Sequence, residues 1–504
     1  MRFCALALLL AASCSRCGGA KSAASAEELI GASPSAAVVT SPLGALAQHF
    51  AALSDRVATL PGGEVLGEYR KGIASQLGFD PLTREGLLSA GLDPDRGAAV
   101  ALIYTGEVRP EWVAALPLTN PEQFSRTVQR LLVERFGASP GAAPQTFERG
   151  GNVIGFRVVR GYGLIARGKD PSTLVAERKV EESLARAPGL AAAREKLGAQ
   201  DLIVWAPQGS ELPKRYTSRP LHGDVALSLQ GAPQGLAVRL IAQLDKANAD
   251  KAQAALPGGG ASLIELLPAD APLRLRLGIS PAQLLSILRG DARLAPLLER
   301  LRGLDEVFAA LQPGAVISAS VAKGASIAQA VDYGLDWRRK SPFETVQLVA
   351  LAQVADKTRL LKALEALAKQ LPEVGLKVSR TGDDFQTSYA GGQGARFGVR
   401  EIDGKPIAYV MGGDLRPEDL RRAAKEVGAL FAEPGAAARA DFGRLAGQIH
   451  ALPETTYGTG PQSYVTRSVV AQVIDPLRPL RVTASLQALP GALDASLDVE
   501  IAAP

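Results

Sequence analysis

The chain is written twice, and that constrains its fold more than any other feature. Ser41-Pro42 opens a run whose apolar residues are Leu43, Leu46, Phe50, Leu53, Val57 and Leu60. Their spacing predicts a helix, with Ser41 as N-cap and Pro42 at the first helical position. Ser280-Pro281 does the same ahead of Leu284, Leu285 and Leu288, at an offset of 281 − 42 = 239. Gly97-Ala98-Ala99-Val100 reads as a strand start, as does Gly314-Ala315-Val316-Ile317. Asn120 precedes a helix bearing Phe124, Val128 and Leu131, and Asp356 precedes one bearing Leu360, Leu364 and Leu367. The two capping residues lie 356 − 120 = 236 apart.

Further parallels follow in the same order. Pro188-Gly189 and Pro434-Gly435 each lead an alanine-rich run, Arg219-Pro220-Leu221 recurs as Arg478-Pro479-Leu480, and Ser228-Leu229-Gln230 recurs as Ser485-Leu486-Gln487. Each half closes on a strongly alternating strand: Leu236, Val238, Leu240, Ala242 and Leu244, then Leu493, Ala495, Leu497, Val499 and Ile501. Period-two alternation predicts one buried and one wet face, with apolar-striped helices covering the dry one. The expected fold is therefore α+β: two tandem homologous lobes, each a largely antiparallel sheet packed against several helices. The divisions expected are 1–13, 14–35, 36–256 for the first repeat, 257–262 as a glycine-rich flexible linker, and 263–504 for the second repeat.

Composition narrows the function classes. Of 504 residues, 47% are hydrophobic and only 5% aromatic, so the cores should be aliphatic. A formal charge of +5 with interleaved signs gives no basic stripe, and nucleic acid is not expected as a partner.

All three cysteines, Cys4, Cys14 and Cys17, fall at the amino terminus, so no disulfide framework holds the fold. Residues 1–13 have a short basic start and an apolar run too short to span a bilayer, the proportions of a signal peptide. Leu10-Ala11-Ala12-Ser13-Cys14 resembles the lipobox of bacterial lipoprotein precursors. That resemblance implies lipidation of the Cys14 thiol, cleavage before it, and an exported protein anchored to a membrane on its periplasmic or outer-surface face. An ordinary cleaved signal with Cys14 free is the alternative reading. Acyl chains contribute about 0.8 kcal/mol per buried methylene, and two or more give stable anchoring. The small, polar stretch 14–35 would act as a tether reaching roughly 25 Å.

Several short runs imitate chemical motifs. Gly163-Leu164-Ile165-Ala166-Arg167-Gly168-Lys169 has glycines near phosphate-loop spacing, but Asp170 stands where that loop needs Ser or Thr. Its apolar centre and its counterpart at Asp403-Gly404 predict a β-hairpin, so no nucleotide is expected. Ser320-Val321-Ala322-Lys323 matches a serine nucleophile motif but falls inside an expected strand. Asp93-Pro94-Asp95 resembles the opening of a calcium loop without its closing acid, and reads as a turn. Gly391-Gly392-Gln393-Gly394 reads as a flexible loop. His49, His222 and His450 are never at ligand spacing, and Trp112, Trp205 and Trp337 do not recur between halves.

Leu267-Pro268-Ala269-Asp270-Ala271, with a looser version at Ser33-Pro34, resembles the Ala-rich exported bacterial proteins that carry a domain of unknown function. That resemblance implies no activity. No residue takes a catalytic, cofactor or metal role, and Cys14 is the single assigned site, for lipid attachment. The reading is a non-catalytic envelope lipoprotein that binds a protein or envelope component. A carrier of lipid or another apolar ligand is the alternative, and an enzyme of unknown reaction is the third.

Overall fold

The computed structural model describes residues 24–502 apart from 105–109, 142–145, 151, 211–222, 293, 326, 328–341, 390–391, 421–428 and 433. Cys14, the expected leader 1–13, Arg219-Pro220-Leu221, His222, Trp337 and Gly391 lie outside the described residues. The protein is α+β: helices accompany an extensive antiparallel sheet. It divides into two compact units, one of residues 1–246 with 491–501, the other of 247–490 with 502–504.

The strands of the first stretch are β1 (Ala36–Thr40), β2 (Ala99–Ile103), β3 (Glu111–Pro117), β4 (Ser139–Pro140), β5 (Thr146–Arg149), β6 (Asn152–Val159), β7 (Tyr162–Gly168), β8 (Leu202–Ala206), β9 (Val225–Ala232) and β10 (Gly235–Gln243). Those that follow are β11 (Leu273–Leu277), β12 (Ala315–Val321), β13 (Val346–Gln353), β14 (Lys377–Thr381), β15 (Asp384–Tyr389), β16 (Gly392–Ile402), β17 (Lys405–Gly412), β18 (Ala436–Asp441), β19 (Leu480–Leu489) and β20 (Ala492–Ile501).

In the first unit the order is β4-β5-β6-β7-β3-β2-β1-β8-β9-β10-β20, every neighbour antiparallel. The second unit runs β14-β15-β16-β17-β13-β12-β11-β18-β19, again antiparallel throughout. The first nine strands of the one order match the other strand for strand. β20 extends the first sheet, pairing along β10 from Gly235↔Glu500 to Gln243↔Ala492.

Local chemistry sets these elements. Asn120 Oδ1 accepts from Gln123 N at 3.0 Å and Asp356 Oδ1 from Arg359 N at 2.9 Å, so both expected caps close the first turn of their helices. Ser280 caps its helix through Gln283 N. Ser41 does not cap: its hydroxyl turns to Asp201, and the helix Leu43–Ala58 has no side-chain cap. The hairpins β6–β7 and β16–β17 turn on Arg160-Gly161 (φ 48° and 77°) and Asp403-Gly404 (φ 52° and 73°), the left-handed pairs that two-residue turns require.

Further expectations differ from the structure. The parallel between Pro188 and Pro434 is not structural: Pro188–Leu197 is a helix, whereas Gly435 leads into β18. Gly435 has φ 92°, and a Cβ there would lie 2.2 Å from Leu486 O, so only glycine lets the strand start so close to β19. Residues 26–35 are docked rather than a free tether. Leu29 and Ile30 are 1% exposed, and Ile30 O accepts from Leu184 N. The glycine-rich join is packed too. Gly258, Gly259 and Gly260 all have positive φ, Gly258 N donates to Gly278 O, and a Cβ on Gly260 would meet Gly314 O at 2.0 Å.

The alternation of β10 and β20 is present, but neither face is uniformly covered: Ile501 is buried on the apolar face, and Asp498 and Glu500 are exposed on the other. Leu236, Val238, Leu240 and Ala242 are half-exposed and Leu497 is exposed, while Ile241 and Asp494 are buried. The helix Pro188–Leu197 packs on that second face, where Lys196 O accepts from Arg239 Nη1. At the far end of the first sheet, Leu116, Ile154 and Phe156 form an aliphatic core with Leu43, Leu77, Leu87, Phe124 and Val128. In the second unit Phe385, Phe397 and Val399 pack with Leu360 and Leu364. Among the described residues no helix is long and apolar enough to cross a membrane.

Candidate functional site

The motif-like runs resolve into ordinary structure. Gly163–Gly168 lies in β7, paired with β3 on one side and β6 on the other, so its amides belong to the sheet ladder. Its glycines serve packing: a Cβ on Gly163 would stand 2.2 Å from Phe124 Cε1. Asp170 caps the following turn through Ser172 N. Ser320 sits in β12 and donates to Gln347 Oε1 at 3.1 Å. Asp93 Oδ1 accepts from Asp95 N in a turn between the helix Arg84–Ser89 and β2. Gly392 and Gly394 are part of β16, at an irregularity opposite β15, rather than a loop.

The first unit gathers an open cleft of about 530 Å³ at the ends of β1, β7 and β8. Its lining combines apolar Val39 and Ile203 with polar Glu27, Thr40, Arg96, Tyr162, Arg194 and Gln200. Thr40 is fixed by donating to Ala98 O and accepting from Ala98 N, both at 2.9 Å. Glu27 is buried and pairs with Arg194, tying the docked amino-terminal segment to the helix Pro188–Leu197. Arg96 lies over the Tyr162 ring with its guanidinium carbon 4.2 Å from the centroid. Its Nη2 donates to Ala24 O at 2.9 Å and its Nη1 to Gly161 O at 3.4 Å. Burial pushes the Tyr162 phenol up to about 12. The neighbouring Asp95 is held below the usual carboxylate range by two hydrogen bonds from Arg84, at 2.6 and 2.7 Å.

Beside the cleft, Ser41, His49 and Asp201 meet. His49 Nδ1 is 2.9 and 3.0 Å from the two Asp201 oxygens, and Gly231 N donates to Oδ2 at 2.8 Å. Ser41 Oγ donates to the same carboxylate at 3.4 Å. A nucleophilic serine needs the imidazole as its hydrogen-bond acceptor, with the carboxylate behind the ring. Here the carboxylate stands in the middle, and the set ties the helix Leu43–Ala58 to β8 and β9.

The second unit has an open concavity of about 530 Å³ beside the helix Pro281–Gly290, lined by Ser280, Leu285, Arg289 and Asp305, and a smaller one of about 280 Å³ in which Asp384 is the hub. Tyr409 O–H donates to Asp384 Oδ1 at 2.6 Å, and Arg400 bridges Asp384 and Glu418 at 2.9 and 3.0 Å. Burial, then the Asp384 carboxylate, raises the Tyr409 phenol. His450 meets Asp475 at 2.6 Å, and Trp205 Nε1 donates to Asp224 Oδ2 at 3.3 Å. Among the described residues no three His, Cys, Asp or Glu side chains gather as metal ligands.

Sequence reasoning did not find the cleft, because Glu27, Arg96, Tyr162 and Arg194 share no local pattern. No protein-family model matches the chain, and no curated protein matches it. Solved structures of TP0453 are similar to part of it. Crystal form III has 10% identity and a TM-score of 0.26, covering 47% of this chain and 88% of that chain. Crystal form I has 11% identity and a TM-score of 0.26, covering 48% and 88%. Similarity at that level supports no statement about function.

Proposed function

We propose that the chain is an exported, membrane-anchored lipoprotein whose body, two copies of one α+β module, binds a protein or envelope component without catalysing a reaction. The lipobox-like run ending at Cys14 supports the anchor, and the matching nine-strand orders support the two copies. The observation that carries binding is the cleft around Arg96. Its volume of about 530 Å³ falls within the roughly 300–1,000 Å³ of small-molecule sites.

A carrier of lipid is the second reading. The apolar cavity between Trp112, Phe124, Leu131 and Ile154 holds only about 60 Å³, several-fold below the lower end of that range, and weighs against it. The enzyme reading draws no support from Ser41, His49 and Asp201, whose order is wrong for a nucleophile. The anchor is tested by Cys14→Ala followed by membrane fractionation. The variant should leave the membrane fraction; retention equal to the parent chain overturns lipid anchoring at Cys14.

A further inference from the structure

We infer that the cleft of the first unit is an oxyanion site, in which Arg96 takes the carboxylate or phosphate group of a small amphipathic molecule whose apolar part lies on Val39 and Ile203. The inference rests on the cleft being a binding site, and not on anchoring at Cys14.

Charge balance is the first reason. The other charged groups on the cleft wall are neutralised: Glu27 with Arg194, and Asp95 with Arg84. Among the described residues no carboxylate lies within ion-pair distance of Arg96, whose hydrogen bonds go to two backbone carbonyls. A guanidinium has five N–H donors, so the two carbonyls and the Tyr162 hydroxyl beside it do not use them all. Stacking on Tyr162 holds the plane in place, so little ordering remains when an anion takes two parallel bonds. The lining is otherwise a mixture of apolar and uncharged polar groups, which favours an anion with an apolar body over a bare ion.

The second reason is an internal comparison. In the first unit Val39 lies between Ala99 and Ile203 on neighbouring strands, and its small side chain leaves the cleft open. In the second unit Arg276 takes that place, between Val316 and Ala437. Arg276 is 1% exposed and donates through Nη1 to Gly259 O at 3.3 Å. The turn Gly258–Gly260 closes against Gly314, at the strand start that Gly97 occupies in the first unit. The second unit thus fills with its own cation and backbone the space that the first leaves open beside Arg96.

The test is calorimetric titration of the full chain with hexanoate, inorganic phosphate and, as a neutral control, 1-hexanol. Saturable binding of hexanoate or phosphate, with dissociation constants about millimolar, and none of hexanol is expected. Arg96→Gln should weaken it about tenfold or more, since a charge-assisted pair is lost. Val39→Arg, which leaves Arg96 in place, should abolish it. Unfolding midpoints of both variants show that they fold; should Arg96→Gln not fold, Arg96→Lys replaces it and should weaken binding through loss of the planar fork. Competition by phosphatidylglycerol vesicles but not phosphatidylcholine vesicles assigns the anion to a lipid headgroup, and the absence of competition assigns it to a soluble molecule. Equal binding of hexanol and hexanoate overturns the anion preference while leaving the cleft a site. No binding of any probe to the parent chain overturns both.

Discussion

Arg239 and Asp494, 255 positions apart, are joined by two hydrogen bonds, Nε to Oδ1 at 3.0 Å and Nη2 to Oδ2 at 2.7 Å. The carboxylate is 4% exposed and the guanidinium 39%, so water screens one partner only. Removing the acid leaves a half-buried cation without its partner. Asp494→Ala should lower stability by about 1–3 kcal/mol, less than the loss for a fully buried pair. The measurement is the urea midpoint at unchanged slope. An unshifted midpoint would show that the pair is only a surface contact.

Gly163 faces the Phe124 ring too closely for any side chain. Gly163→Ala should cost about 1–3 kcal/mol by overpacking. In the double variant with Phe124→Leu, part of that loss should return. A thermodynamic cycle reads the coupling, and strictly additive losses would contradict the contact.

Gly260 and Gly382 both have positive φ, 75° and 63°, but only Gly260 meets backbone. Gly382→Ala should cost about 1–2 kcal/mol, the price of a left-handed alanine. Gly260→Ala adds a collision with Gly314 O and should cost more than about 3 kcal/mol or yield no folded protein. Thermal unfolding of the two variants side by side decides it; equal midpoints would mean that the turn gives way.

Tyr162 and Tyr409 should resist deprotonation. An unfolded tyrosine titrates near pH 10, and burial raises both in the folded chain, Tyr162 to about 12. A raised folded value contributes stability that is fully present below about pH 10 and is lost as pH rises towards 12. Ultraviolet titration should find these two, and Tyr457, which burial also raises, ionising after the exposed members of the nine tyrosines. Tyr162→Phe should flatten the alkaline fall in unfolding midpoint between those limits, and an unchanged fall counts against burial as its cause.

Local signals were legible in the sequence and long-range ones were not. Asn120 and Asp356 cap where their chemistry says, because a cap depends on three following residues. Asp403-Gly404 turns for the same reason. Ser41 misled, because a carboxylate 160 positions away competes for its hydroxyl. Alternation in β10 and β20 set the two rows of side chains but not which residues are covered, since Asp494, paired with Arg239, is buried on the polar row while Leu497 is exposed on the apolar one. The helix Pro461–Ile474 turns Tyr464, Val465, Val469 and Val473 outward, at 79, 59, 48 and 59% exposure. The cleft joins residues 24–41, 95–97, 162 and 194–203, which only the strand order brings together.

β10 finds its outer neighbour in residues 492–501, which begin 492 − 243 = 249 positions further along the chain. A nascent chain that has delivered every residue up to Gln243 still shows an unpaired strand edge with leucines and valines along it. Nearly half the polypeptide must then be made before that edge is covered. Premature termination between Gln243 and Ala492 therefore strands a sticky intermediate, and chaperone binding during translation should persist until Ala492–Ile501 has emerged.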